Sequence, residues 1–320
     1  MDKVNELVNT ELVSVLVLSF RSSGTIVETL QSIYNQTYKN IELVISDDAS
    51  DDNTVEIIEQ WVAKCGERFK RVEVIVSKEN TGTSKNMNRG VDACRGEWIK
   101  PIAADDLLSP ECVQKYMEKV YQDKGQIQIY QADEEVIDEN SIVTGYMTNE
   151  SQRMRKLADM KTAEEQYQYF LFNDIKVSPT MLFSRKAFYE VGMCDERIRN
   201  IEDYPLKLRF LRNGFRMGYL KCSVVQYRVH NSISHRKNEV CPINHVKQRR
   251  VLKELCCYPY IPKSNIFYWS SEILERFQEN VIIHIFRNKP GFLVKCFMKV
   301  MSYLIPRQWE RRMTAWKEKR

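Results

Sequence analysis

Val13-Ser-Val-Leu-Val-Leu-Ser19 is a short Val-rich apolar run, and Ile41-Glu-Leu-Val-Ile-Ser46 is a second, which breaks off into Asp47-Asp48-Ala49-Ser50-Asp51-Asp52. Short continuous apolar runs of this kind read as parallel strands covered on both faces. Working outward, residues 24–35 set Ile26, Val27, Leu30, Ile33 and Tyr34 on one side and read as a helix. A helix over 53–64, a strand at Val72–Val76, a helix over 83–94 and a short strand at Trp98–Ile102 follow, the last running into Asp105-Asp106. This β-α-β-α-β-α-β alternation predicts an α/β fold, a three-layer α/β/α sandwich with a mostly parallel mixed sheet. Such sheets bind ligands beyond the carboxyl ends of their strands, so the two acidic clusters should converge on one face.

The rest of the chain is less regular. Ser109-Pro110 reads as an N-cap and first helical residue, opening a helix to about 122. Residues 126–130, 179–184 and 218–230 read as strands, and 200–211 as a helix closed by Gly214. Residues 133–176 are polar and irregular apart from a helix at 162–172. Beyond about 245 the pattern is helical to the end. The expected division is an α/β domain over 1–240, with a donor half at 11–106 and an acceptor half at 107–240, and a helical basic extension over 241–320.

Eleven Gly and nine Pro in 320 residues exclude collagenous and low-complexity chains. The formal charge of +5 is too small to argue for nucleic acid, which is not an expected partner. The charge is unevenly placed: residues 285–320 hold ten Lys and Arg against Glu310 and Glu318, leaving the first 284 residues at −3. Nine cysteines with no C-x-x-C spacing suggest neither a disulfide framework nor a zinc site and fit a reducing cytoplasm. Residues 1–11 lack the apolar region of a signal peptide, and no run of about 18 apolar residues predicts a membrane span.

Neither G-x-x-x-x-G-K-[ST] nor G-x-G-x-x-G occurs, which removes the P-loop and dinucleotide fingerprints. What remains is carboxylates at strand and helix ends. Asp47-Asp48 either caps the following helix with Ser50 or accepts a hydrogen bond from a base N–H or a ribose hydroxyl. Asp105-Asp106 is either a solvated loop or a pair of hard oxygen ligands for Mg2+ or Mn2+. Glu202-Asp203 either complements a helix N-terminus or supplies a general base.

The ordered set of motifs resembles family 2 glycosyltransferases of the GT-A fold. It comprises Val13–Ser19, Gln36-Thr-Tyr38, Val44–Asp52, Asn80-Thr-Gly82, Asn88-Arg-Gly90, Gly96-Glu-Trp-Ile99, Asp105-Asp106, Glu202-Asp203 and Tyr227-Arg-Val-His230 with Ser232 and Ser234. The match covers roughly residues 11–235. The resemblance implies an inverting transferase that moves a sugar from a nucleotide-diphospho-sugar, UDP-linked by preference, to a hydroxyl of a glycan or lipid-linked acceptor. It implies that Leu18, Ser19 and Phe20 line the nucleotide pocket and that Asp48 reads the base. Asp106 would be the principal ligand of Mn2+ or Mg2+, Asp105 the ribose or outer-shell partner, Asp203 the catalytic base, and His230 a further metal ligand. Phe20-Arg21 stands where the family usually has Tyr-Asn, and Asn86-Met-Asn88 where Ala-Arg-Asn is usual, which leaves Lys85 or Arg89 to meet the diphosphate.

Two rival readings remain. A nucleotidyltransferase would need a Gly-rich basic loop after the first strand, where residues 19–27 offer only Arg21 and Gly24. A binding module without turnover would not need carboxylates at all three positions. The tail carries a further expectation. Residues 292–305 are strongly apolar with Lys295 and Lys299 four apart, and Arg307, Trp309, Arg311, Arg312, Trp316, Lys317, Lys319 and Arg320 follow. Fourteen residues are too few to span a bilayer, which leaves a helix packed on the domain or in a homodimer, or an interfacial helix on an anionic membrane surface.

Overall fold

The computed structural model of the chain describes residues 10–146, 148–173, 179–229 and 239–309. The chain divides into two compact units, residues 1–229 and 230–320.

In the first unit β1 (Val13–Ser19), β2 (Ile41–Asp47), β3 (Val72–Val76) and β4 (Trp98–Ala103) lie in the order β3-β2-β1-β4, all parallel. They alternate with α1 (Ile26–Tyr34), α2 (Thr54–Cys65) and α3 (Thr83–Ala93). β2 buries every residue and β1 all but the half-buried Leu18, as continuous apolar runs under helices on both faces require. The one charge in these two strand interiors is matched: the Glu42 carboxylate accepts from the Ser14 hydroxyl, from Gly96 N–H at 2.8 Å and from Arg71 at 3.1 Å. Gly96 is confined to glycine here, because a Cβ would lie 2.6 Å from Ser14 N and 2.7 Å from Leu12 O.

The sheet continues through β8 (Leu182–Ser184), antiparallel to β4, and β6 (Ile129–Ile137), antiparallel to β8. β9 (Met217–Arg228) runs parallel to β6, β5 (Leu107–Leu108) antiparallel to β9, and β7 (Val143–Tyr146) antiparallel to β6. The result is the expected mixed, largely parallel sheet.

Several elements differ from the sequence reading. β6 starts later than 126 and runs on to Ile137, inside the stretch read as irregular, and β7 and α5 (Thr148–Ala158) lie there too. Polar Gln131, Asp133 and Glu134 are buried in β6, so hydropathy gives no strand signal. α6 (Ala163–Asn173) agrees with expectation, and α7 (Arg185–Glu190) is an unforeseen short helix whose Ser184 cap accepts from Ala187 N–H. α4 (Cys112–Gln122) begins beyond Pro110, and Ser109 does not cap it. Gln36 does that from the end of α1: its Oε1 accepts from Val113 N–H at 3.1 Å and its Nε2 donates to Ser109 O at 2.7 Å. α8 (Asp203–Arg212) opens at Asp203 rather than at 200.

The second unit is helical, with α9 (Ile243–Leu252), α10 (Ile266–Asn280) and α11 (Phe292–Leu304). Its interior holds an ionic knot. Glu272 meets Lys253 at 2.7 Å, the Tyr258 hydroxyl at 2.6 Å and Arg307 at 3.0 Å, and Arg307 also reaches Glu275 at 2.8 Å. The basic tail is therefore not all surface: Arg307 is buried. Among the described residues no helix is long and apolar enough to cross a membrane.

Candidate active site

The parallel register aligns Ser19 with Asp47 and Leu18 with Ala103, so β1, β2 and β4 end together and deliver both acidic loops to one rim. At the β2 end, Asp47 fastens the turn: it accepts the Ser19 hydroxyl at 2.7 Å and the Ser50 N–H and hydroxyl at 2.8 and 2.7 Å, around Ala49 at φ 64°. Asp48, almost fully buried, accepts Thr81 N–H at 2.9 Å, the Thr81 hydroxyl at 2.6 Å, Gly82 N–H at 2.7 Å and Arg89 at 3.0 Å. Burial alone would raise this carboxyl, but these donors hold it below the usual carboxylate range. Gly82 has φ 90°, and a Cβ there would sit 2.6 Å from Arg199 O, so the loop that wraps Asp48 needs glycine.

Leu18 is half-buried, Ser19 is buried with its hydroxyl committed to Asp47, and Phe20 is exposed beneath the Arg21 guanidinium, 5.2 Å from its ring. Arg21 is paired with Asp51 at 2.6 Å. Lys85 is exposed on α3. Arg89 is engaged by Asp48, Asn86 and Ser77, and Asn86 and Asn88 bind α3 to Ser46 and to Cys194.

At the β4 end the surroundings are different. Asp106 is 1% exposed and accepts Arg228 N–H at 2.9 Å. Burial, reinforced by the charges of Asp105 and Glu134, pushes its carboxyl well above the usual range. Asp105, half-buried, receives the Arg228 guanidinium on its backbone carbonyl at 2.8 Å. Arg228 also reaches Glu28 at 2.7 Å and the Ser141 hydroxyl at 2.9 Å, so this buried side chain clamps the Asp105-Asp106 loop to α1 and to the loop before β7. Asp203 is half-buried as the first residue of α8, its carboxylate accepting Tyr204 N–H at 2.8 Å. Its neighbour Glu202 accepts the Thr83 hydroxyl at 2.5 Å, which links α8 to the loop holding Asp48.

Burial raises the Tyr227 hydroxyl first, and the charges of Asp106, Asp105, Glu134 and Asp203, all within Coulomb range, raise it further. Two fully buried lysines lie beside them. Burial pushes both Lys100 and Lys207 down to about 8, against the attraction of Asp106 and Glu134 on Lys100 and of Asp203, Glu134 and Glu202 on Lys207. Lys207 donates to Gln131 Oε1 at 2.9 Å, and Lys100 to Pro101 O and Pro179 O at 2.6 and 3.0 Å.

Asp105, Asp106 and Asp203 thus lie within Coulomb range of one tyrosine, and Asp48 sits at the neighbouring strand end. His230 lies outside the described residues. Sequence reasoning missed Glu134, Arg228, Lys100 and Lys207. The only signals were an Ala-Asp-Glu-Glu run, the Arg inside Tyr227-Arg-Val-His230, and lysines within apolar stretches. A cavity lined by Glu11, Glu97, Trp98 and Met117 opens at the amino ends of β1 and β4, away from these carboxylates.

The glycosyl transferase family 2 model matches residues 14–192. The chain is 22% identical to an uncharacterized glycosyltransferase of Methanocaldococcus jannaschii over 90% of its length and 93% of that protein's. A 34% match to an uncharacterized glycosyltransferase of Haemophilus influenzae spans about a third of each chain, 35% here and 34% there. A chondroitin synthase of Escherichia coli is 30% identical over 63% of this chain but only 27% of its own length. Among solved structures, S. aureus TarS 1–349 in complex with UDP-GlcNAc superposes with TM-score 0.58 at 15% identity, over 92% of this chain and 81% of that one. The mannosyltransferase PcManGT of Pyrobaculum calidifontis in complex with GDP-Man and Mn2+ gives TM-score 0.51 at 14% identity, over 97% and 76%. The extent of the family match, joined to a mixed sheet whose acidic loops meet at the strand ends, makes this chain a member of glycosyl transferase family 2, a glycosyltransferase of GT-A fold.

Proposed function

We propose that the protein is an inverting glycosyltransferase that moves a sugar from a UDP-sugar to a hydroxyl of a glycan or lipid-linked acceptor. The observation that carries the reading is the delivery of the Asp48 loop and the Asp105-Asp106 loop to one rim by the aligned ends of β1, β2 and β4, with Asp105, Asp106, Glu134 and Asp203 all within Coulomb range of Tyr227. The donor set at Asp105 and Asp106 is hard oxygen crowded with like charge, which fits Mg2+ or Mn2+, cations that take one or two protein carboxylates and share substrate phosphates. Among the described residues no group of three or more His, Cys, Asp or Glu side chains is placed to hold a metal ion by itself, so the reading requires donor phosphates to complete the coordination. When bound, the cation supplies neutralising charge to the departing nucleotide diphosphate. TarS with UDP-GlcNAc and PcManGT with GDP-Man and Mn2+ support the donor class and the cation.

The chain's own groups do the rest. Arg228 keeps the Asp105-Asp106 loop in place. Asp203 takes the acceptor hydroxyl proton while that oxygen attacks the anomeric carbon from the face opposite the nucleotide. The positive ends of Lys100 and Lys207 limit the repulsion among the carboxylates. Lys85, exposed at the start of α3, is assigned to the diphosphate, since Arg89 is engaged by Asp48. Leu18, Ser19 and Phe20 form the wall at the end of β1. For Asp48 to read a base N–H, one of its present donors must yield.

The test is nucleotide release from a panel of UDP- and GDP-sugars with Mn2+, with Mg2+ and with EDTA, followed by the anomeric configuration of any product. UDP release that needs the cation, with inversion, is expected. UTP formation from pyrophosphate, or release indifferent to EDTA, would overturn the reading.

A further inference from the structure

α11 is apolar nearly all round, and only one arc of it is used in packing. Val294, Met301 and Ile305 are buried, and Phe297 lies half-buried against Phe286 at 5.6 Å between ring centroids. At 100° per residue the opposite arc holds Phe292, Leu293, Cys296, Val300, Tyr303 and Leu304. Leu293 is 69% exposed, Val300 57%, Tyr303 59% and Leu304 56%. Lys295 and Lys299, both exposed, stand together along one edge of that arc. The sequence left open whether this helix packs or meets a surface. Among the described residues this helix packs along one seam and leaves a continuous apolar arc exposed.

We propose that this arc of α11 docks into the interfacial region of an anionic membrane, with Lys295 and Lys299 against the headgroups. The geometry is that of an interfacial helix, an apolar face edged by cations, and thirteen residues at 1.5 Å each are too short for a span. Charge selects this occupant over a second copy of the chain. Residues 230–320 hold 18 Lys and Arg against 7 Asp and Glu, a net +11, whereas residues 1–229 carry −6. α11 itself has no acidic residue, so a twofold copy would offer Lys295 and Lys299 no partner on the same face. An anionic lipid surface offers one at every point. α10 adds an exposed apolar stripe of Ile266, Ile273 and Phe277 to the same unit.

The experiment uses the full chain and sedimentation with vesicles of phosphatidylcholine alone or mixed with phosphatidylglycerol, at low and high salt and without any sugar donor. Its outcome is therefore independent of the transferase reading. Binding is expected to favour the anionic vesicles by at least ~10-fold and to weaken in high salt. Replacing one lysine by Gln should cost about fivefold and both about 25-fold. Val300→Asp should abolish binding. All these positions are exposed, so the variants keep the wild-type melting temperature. Equal binding to neutral and anionic vesicles, or binding unchanged in Val300→Asp, would overturn the proposal. So would a dimer in sedimentation equilibrium that Val300→Asp dissolves.

Discussion

Asp48 and Asp106 sit at the carboxyl ends of strands that flank β1, and both are almost wholly buried, yet their surroundings are opposite. Asp48 is met by two backbone N–H groups, a hydroxyl and a guanidinium, which hold it ionised. Asp106 is met by one backbone N–H, and burial first, then the charges of Asp105 and Glu134, oppose its ionisation. The difference separates a carboxylate whose demands the chain satisfies by itself from one whose demands it does not. The first builds a loop; the second leaves like charge that the cation of the proposed function would relieve.

The largest effect that would sharpen this contrast lies at Asp203. Asp203→Asn can still accept the Tyr204 N–H through its amide oxygen but cannot take a proton, so turnover should fall by ~10²–10⁴-fold while the KM for the donor stays. Steady-state kinetics with varied donor decides it; a lost donor affinity with normal turnover would move Asp203 to the donor-binding side. Next is Asp106→Asn. Turnover should drop at least ~10²-fold, the scale of losing one strong electrostatic stabiliser, while urea unfolding shows stability unchanged or higher because a crowded carboxylate has been removed. An active Asp106→Asn variant, or full wild-type activity in EDTA, would erase the contrast.

The third effect is on the alkaline side of the same cluster. Lys207 titrates near 8 in the fold against an ordinary 10.5, so the unfolded chain binds more protons between those values, and stability should rise with pH across that window. Lys207→Met should remove up to ~3 kcal/mol of that rise when urea unfolding is compared at pH 7.5 and pH 10. Parallel curves for the two proteins would show that the buried lysine does not feel the cluster. The smallest effect belongs to Asp48. Its carboxyl is depressed in the fold, so its contribution is present above the ordinary carboxylate value and is lost as pH falls through the folded one. Asp48→Asn should cost ~1–2 kcal/mol at neutral pH, and the difference from wild type should shrink as pH falls through the folded value. A constant difference at all pH values would assign the cost to packing rather than charge.

Legibility follows the same divide. Residues 13–106 form parallel strands buried on both faces, so hydrophobicity alone marks them, and Val13–Ser19 and Val72–Val76 begin and end where the sequence places them. Acids after such strands can only be at the functional rim, so Asp48 and Asp105-Asp106 were readable. β6 was not, because Gln131, Asp133 and Glu134 are buried through partners on other elements: Lys207 for Gln131, and Arg155 and Tyr219 for Asp133. Glu134 therefore looked like part of a solvated loop.

The order of apolar runs, the acidic loops that end them and the spacing of the later Glu202-Asp203 pair determined the fold class, the family and which rim to inspect. Those are local properties of the chain, carried by period and composition. Which carboxylate is satisfied and which is left crowded was decided only by the tertiary structure. So were the burial of Lys100, Lys207 and Arg307 and the side of α11 that stays uncovered. Each depends on groups far apart in sequence coming within hydrogen-bond or Coulomb range, as Arg228 does with Asp106 across 122 positions, and no local pattern records that distance.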